Sequence, residues 1–287
     1  GKDFTMPSFI KRLQHACSTS QSLVCVGLDP DQDKMPIDDV LEFNRAIVEA
    51  TADQVCAYKP NLAFYEALGI PGLKALEGTV KLIRQLAPAT IIIGDAKRGD
   101  IGPSAEAYAK AMFQVWDFDA VTLNAWGGRD TVDPFLGDEQ RGVFIWCRGS
   151  NPGSLDLQDL KLESANTDSS ANVPLYQHLA EEVQTWNVRG NLGLVVGATF
   201  PEQLAKVRGL GPTMPLLIPG VGAQGGDLEV AVRNGTDAAG RLAIINSSRG
   251  IIYASKGTDF ARAARRAASS LRSAINQVLN AMDNGWP

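Results

Sequence analysis

The chain has 287 residues, 45% of them hydrophobic and 21% charged, with a mean hydropathy of −0.07. That balance excludes a disordered chain, a collagen and a membrane bundle. A net charge of −5 offers no general basic field to nucleic acid, so an anionic ligand would need a local cationic site.

The first twenty residues, GKDFTMPSFIKRLQHACSTS, lack the apolar core of a signal peptide and predict an amphipathic helix over about 7–18. Short β-branched runs then alternate with helical patterns. Strands are predicted at 23–29, 54–59, 90–97, 118–124, 142–147, 192–197, 215–219 and 242–248. Helices are predicted between them at 38–51, 72–86, 104–116, 173–187, 200–208 and 226–234. The segment 149–172 is the one long polar interruption and reads as an extended loop with little regular structure. A terminal helix over 258–282 places Phe260, Ala264, Ala267, Leu271, Ile275, Val278 and Leu279 on one stripe. No run reaches the roughly 18 apolar residues of a membrane span, and a cytoplasmic protein is expected.

Near-continuous apolar strands alternating with helices indicate a parallel sheet. Eight such units, with no G-x-G-x-x-G after the first strand, predict an α/β chain folded as one closed (β/α)₈ TIM barrel over 1–287. Four cysteines are too few for a disulfide scaffold. Cys25, Cys56 and Cys147 fall in apolar β-like runs as small buried thiols, and Cys17 lies in a helical pattern with no motif. His15 and His178 sit in helical patterns without ligand spacing, so neither a metal centre nor a Ser-His-Asp hydrolase is expected. The basic run 262–266 reads as a solvated face.

Five predicted strands end in polar groups: Asp29, Lys59, Asp95 with Lys97, Asn124, and Ser247–Arg249. The C-terminal strand ends of a barrel form the face where active sites are built. Strand alternation puts Asp95 and Lys97 on one side, with Lys59 a second cation on the neighbouring strand and Asp100 projected away by a Gly-flanked turn. An alternating network of this kind can be buried where a lone charge cannot, and a purely structural ion-pair network is the other reading. Residues 219–227, PGVGAQGGD, form a Gly-rich loop before a helix start, a backbone arrangement that binds anions. Arg249 and Gly250 in the next βα loop add a guanidinium and further amides. A tight turn is the plainer alternative for the Gly-rich loop alone.

Seven separated motifs occur in order: VGLDPD (26–31), YKPNLAFYE (58–66), GDAKRGDIG (94–102), VTLN (121–124), RGSNPG (148–153), PGVGAQGGD (219–227) and INSSRGIIYA (245–254). Together they resemble the orotidine 5′-monophosphate decarboxylase family over about 23–255, in its longer bacterial form. The resemblance implies decarboxylation of orotidine 5′-monophosphate to UMP and CO₂ without metal or cofactor, in pyrimidine nucleotide biosynthesis. It further implies that Asp29 and Lys59 hold the ribose hydroxyls, and that Asp95 faces the substrate carboxylate. Lys97 would protonate C6. Asp100 and Ser104 would reach across a homodimer into the partner's site. Ser150 would bind the pyrimidine edge, Gln224 and Arg249 the phosphate, and Asn124 and Gly250 would complete the substrate contacts.

The chain departs from the family at Ala125-Trp126, where Pro-Tyr is common, and at Ser104, where Thr is frequent. Two alternatives remain at this point. One is a Mg²⁺-dependent sugar-phosphate decarboxylase or aldolase on the same scaffold, which would carry an acidic residue where Lys59 stands. The other is a non-catalytic nucleotide-binding barrel.

Overall fold

The computed structural model describes residues 7–163, 172–221 and 227–287. Its centre is a ring of eight parallel strands. They are β1 (Val24–Leu28), β2 (Ala57–Pro60), β3 (Ile91–Arg98), β4 (Ala120–Leu123), β5 (Gly142–Arg148), β6 (Leu192–Val196), β7 (Leu216–Ile218) and β8 (Ala243–Ser247). Each pairs with the next in chain order, and β8 closes the barrel on β1. Each lies within its predicted run or extends it by one residue. The second starts three residues later than expected, because residues 52–54 form the turn leaving the preceding helix, with the Gln54 amide on the Thr51 carbonyl, and pairing with β1 begins only as the Cys56 amide reaches the Val24 carbonyl.

The outer layer comprises α2 (Val40–Thr51), α3 (Leu62–Glu66), α4 (Gly69–Leu86), α5 (Gly102–Lys110), α7 (Leu175–Trp186), α8 (Pro201–Leu210), α9 (Asp227–Gly235), α10 (Arg249–Ile252) and α11 (Phe260–Ala281). Side-chain chemistry starts two of them. The Asp39 carboxylate accepts from the Glu42 amide at the head of α2, and the Asn61 side chain does the same for Ala63 in α3. After α5 the helix widens into a π-turn over Ala111–Val115. In α11 the buried stripe is Phe260, Ala263, Ala264, Ala268, Leu271, Ile275 and Leu279, close to the predicted face.

The first helix, α1 (Phe9–Ser20), lies at the N-terminal mouth of the barrel, where the Phe9 ring meets Phe144 edge-on and packs on Gly142. Charge completes the seal. Asp119, fully buried, accepts from Arg12, from Arg84 at 2.7 Å and from the Ile92 amide at 2.8 Å. Arg208 in α8 donates to the carbonyls of Gly235, Gly211, Met214 and Leu242 at 2.6–3.0 Å. With carbonyls rather than a carboxylate around it, burial pulls its pKa down to about 10.

The long polar stretch departs from the expectation of a structureless loop. It contains a 3₁₀ turn (Pro152–Ser154), a short helix α6 (Leu155–Gln158), and a two-residue strand (Lys161–Leu162) paired antiparallel with Val173–Pro174. Arg148, fully buried at the end of β5, is the cause. It donates to Ser154, Gln203 and Gln158, forms an ion pair with Asp159 at 3.3 Å, and lies 4.3 Å from the Phe200 ring centroid. A buried guanidinium must find partners. Ser154, Gln158 and Asp159 of this stretch supply them, so these three turn toward the guanidinium while Asn151 and Asp156 stay exposed.

Candidate active site

A cavity of about 560 Å³ opens at the C-terminal ends of β1, β7 and β8, lined by Asp29, Lys59, Pro219, Asn246, Arg249 and Tyr253 among others. Two devices shape it. A Cβ on Gly27 would fall 1.8 Å from Ser248 Oγ, so only glycine lets β1 pass this close to the β8 loop. Tyr253 Oη donates to the Asp29 carbonyl at 2.6 Å and accepts from the Asp31 amide at 2.7 Å, pinning the segment after β1 to α10.

From the floor of this cavity a row of alternating charges extends across the barrel. Lys59 Nζ meets Asp95 Oδ2 at 2.7 Å, and Lys97 Nζ meets Asp95 Oδ1 at 2.7 Å. Burial opposes ionisation of Asp95, but the two ammonium groups outweigh it and hold the carboxyl well below the usual carboxylate range. Lys59 is likewise buried, and Asp95 and Asp29 overcome that burial to hold its pKa above the ordinary lysine value. Burial moves Asp29 the other way, upward, and Lys59 only partly offsets it. Lys97 Nζ also stands 5.7 Å from the centroid of Trp146. Trp146 lines a second cavity of about 580 Å³ between the loop after β4 and α7.

The geometry of β3 differs from a regular strand here. Gly94 pairs with Val121 and Arg98 with Leu123, so three residues on β3, 95–97, stand opposite the single Thr122 on β4. Inside that bulge Lys97 has φ +46°, in the left-handed region. Asp95 and Lys97 do meet, as strand alternation predicts, but through a bulge and a left-handed residue.

Asp29, Lys59, Arg249 and Gly250 line the cavity together, and Asp95 and Lys97 join them through Lys59. Ser150 stands across from Gly220 at the cavity edge, its Oγ 3.8 Å from where a Gly220 Cβ would be. Asp100 and Ser104 are exposed and line neither cavity, and Asp100 Oδ1 accepts from the Ile101 amide at 2.8 Å. Asn124 lies in the second cavity, and its Oδ1 accepts from the Trp126 amide at 3.0 Å. Gln224 lies outside the described residues.

Sequence reasoning passed over four residues of this neighbourhood. Arg148, Thr122, Asn246 and Tyr253 each fall inside a quoted motif; three of them carry no charge, and Arg148, which ends β5, is a charged strand end that went unread. Among the described residues, three buried side-chain oxygens lack a hydrogen-bond partner, and two of them, Asp29 Oδ1 and Asn246 Oδ1, belong to residues lining the first cavity. Buried unpaired acceptors of this kind favour a ligand that brings hydroxyl or amide donors. Among the described residues no group of three or more His, Cys, Asp and Glu side chains gathers as metal ligands would. His15 and His178 are exposed.

A family model described as the orotidine 5′-phosphate decarboxylase / HUMPS family matches residues 22–266. A curated orotidine 5′-phosphate decarboxylase from Dehalococcoides mccartyi is 49% identical over 269 residues, covering 93% of this chain and 97% of that protein. One from Roseiflexus sp. is 50% identical over 275 residues, covering 92% and 97%. Among solved structures, the OMP decarboxylase of Leishmania donovani aligns with a TM-score of 0.80 at 36% identity, covering 95% of this chain and 98% of that one.

Proposed function

The chain belongs to the orotidine 5′-phosphate decarboxylase / HUMPS family and decarboxylates orotidine 5′-monophosphate to UMP in pyrimidine nucleotide biosynthesis, and from that premise we propose which side chains perform the reaction. The observation that carries the assignment is the row Lys59–Asp95–Lys97, its first two members buried and both contacts at 2.7 Å, at the floor of a cavity holding unpaired acceptors.

Asp29 Oδ1 and Lys59 take the ribose hydroxyls, the first as acceptor and the second as donor. Arg249, Gly250 and Gln224 take the phosphate. Ser150 binds the pyrimidine edge, with Asn124 at the rim of the same face. The substrate carboxylate faces Asp95. The bond from C6 to the carboxyl carbon breaks, CO₂ leaves, and the electron pair stays on C6, where the ring cannot delocalise it well. Lys97 carries a fixed cation to the point where that charge develops, which is stabilisation specific to the transition state. It then gives a proton to C6, yielding UMP, and is reprotonated from solvent. Asp95 holds the Lys97 ammonium aimed, through a contact of 2.7 Å, so the cation costs no reorganisation as the reaction proceeds. The phosphate is remote from C6, and its binding energy orders the site.

Asp100 and Ser104 complete the site of a second copy in a homodimer. Their exposure, and their absence from the cavities of their own chain, support this reading. The enzyme works in the cytoplasm, consistent with four buried free thiols and no disulfide.

One experiment tests the catalytic and the shared-site assignments together. Lys97→Ala and Asp100→Ala each lose turnover alone, while Lys97→Ala still binds UMP. Mixed in equal amounts and allowed to exchange, they recover about a quarter of wild-type activity, because half the dimers are mixed and each holds one intact site. Retained activity in Lys97→Ala contradicts the catalytic role, and no recovery on mixing contradicts the shared site.

A further inference from the structure

Thr122 has no role in the site as assigned so far, yet its hydroxyl touches three groups of the charged motif. It is fully buried on β4, where Oγ1 accepts from the amides of Ala96 and Lys97, each at 3.0 Å, and donates to Asp95 Oδ1 at 2.8 Å. A hydroxyl has two lone pairs and one proton. The two amides occupy the lone pairs, so the proton is directed to Asp95, and Oδ1 is held as an acceptor. The same oxygen receives Lys97 Nζ at 2.7 Å. The two amides lie inside the bulge of β3, next to the left-handed φ of +46° at Lys97, a conformation a lysine keeps only when its surroundings impose it.

We propose that Thr122 is a positioning residue for the decarboxylation: its single hydroxyl holds the left-handed turn at Lys97 and the Asp95 carboxylate in one fixed arrangement. The proposal rests on the assignment of Asp95 and Lys97 given above. It requires a group at this position that is small, accepts twice and donates once. Serine meets that requirement, and valine, nearly the same shape, does not. Without the hydroxyl, two buried amides lose their acceptor and Asp95 loses a donor, so the bulge relaxes and the ammonium moves away from C6.

The test compares Thr122→Val, Thr122→Ser and Thr122→Cys with wild type in turnover of orotidine 5′-monophosphate, in UMP affinity and in thermal melting. Displacement of a reacting group by about 1 Å costs about 10²-fold in rate. The expected result is therefore a fall of about that size in kcat for Thr122→Val, UMP affinity within threefold of wild type, and kcat within about threefold of wild type for Thr122→Ser. Wild-type kcat in Thr122→Val overturns the proposal, as does an equal loss of kcat and UMP affinity that serine fails to rescue. Should the valine variant not accumulate folded, Thr122→Cys, a weak donor and acceptor, gives the same reading, and wild-type kcat there overturns the proposal. Lys97→Ala, assayed alongside, separates the two levels. Retained turnover in Lys97→Ala overturns the site assignment itself, whereas its loss, with Thr122→Val at wild-type kcat, overturns only the role of Thr122.

Discussion

Asp95 receives Lys59, Lys97 and Thr122 on two oxygens, each contact at 2.7–2.8 Å, and is only 6% exposed. A carboxylate so placed is an anvil for two cations. In the proposed assignment one reaches the ribose and the other the reacting carbon. Arg249 differs in kind, since it is exposed at the start of α10 and touches nothing in this row. Arg249→Ala is therefore expected to raise KM for orotidine 5′-monophosphate at least tenfold. Steady-state kinetics on that variant checks this, and an unchanged kcat/KM contradicts it. At this scale the sequence was legible at most of the charges that end a strand, Arg148 of β5 being the exception. Asp29, Lys59, Asp95, Lys97 and Arg249 all announced themselves in this way. Thr122 and Asn246 did not, because a hydroxyl or an amide within an apolar run looks like ordinary strand composition. The bulge at Lys97 went unread as well, although Gly94 inside the strand and Gly99 after it stand at its edges.

The strands are the part of the fold that pattern alone predicts, because burial on both faces forces continuous apolar runs. What pattern misses is polar sequence used inside. The stretch after β5 reads as solvated loop, yet Ser154, Gln158 and Asp159 close around the buried Arg148 and build a turn, a short helix and a strand pair. Gly197 then packs on Ser150, where an added Cβ would lie 2.9 Å from the serine Cβ, so this stretch and β6 together present Ser150 to the site. At the opposite mouth Asp119 gathers Arg12 of α1, Arg84 of α4 and the amide of Ile92 on β3. Removing the acceptor strands two guanidiniums that still reach solvent, with side chains 24% and 29% exposed. Asp119→Asn is thus expected to cost about 3 kcal/mol, the low end for breaking a buried pair. Urea unfolding measures this, and a change below about 0.5 kcal/mol would show that the contacts add little.

Over the whole molecule, the groups of the candidate site sit at the C-terminal face of the barrel, and the clusters around Asp119 and Arg208 that seal it sit elsewhere. This separation lets the site keep unpaired buried acceptors without loosening the fold. Titration of buried groups sets the pH range of the assembly. Asp95 is held low, so its contribution is complete above about pH 4, the unfolded carboxylate range, and is lost as pH falls below it. Burial pushes the Cys25 and Cys147 thiols up to about 12. Raised thiols contribute fully below the unfolded value of about 8.5, and that contribution is lost as pH rises toward 12. The melting temperature is therefore expected to fall above about pH 9, less steeply in Cys147→Ala, and thiol reagents should label the native protein only as it unfolds. Parallel alkaline limbs in the two proteins would contradict this.

The central claim is that a row of fixed charges, with no metal acting as electron sink, removes CO₂ from the nucleotide. The direct measurement mixes EDTA-treated protein with orotidine 5′-monophosphate and follows the loss of pyrimidine absorbance. Conversion to UMP at the same rate with and without EDTA is the predicted result. Activity that disappears in EDTA and returns on adding Mg²⁺ would contradict it.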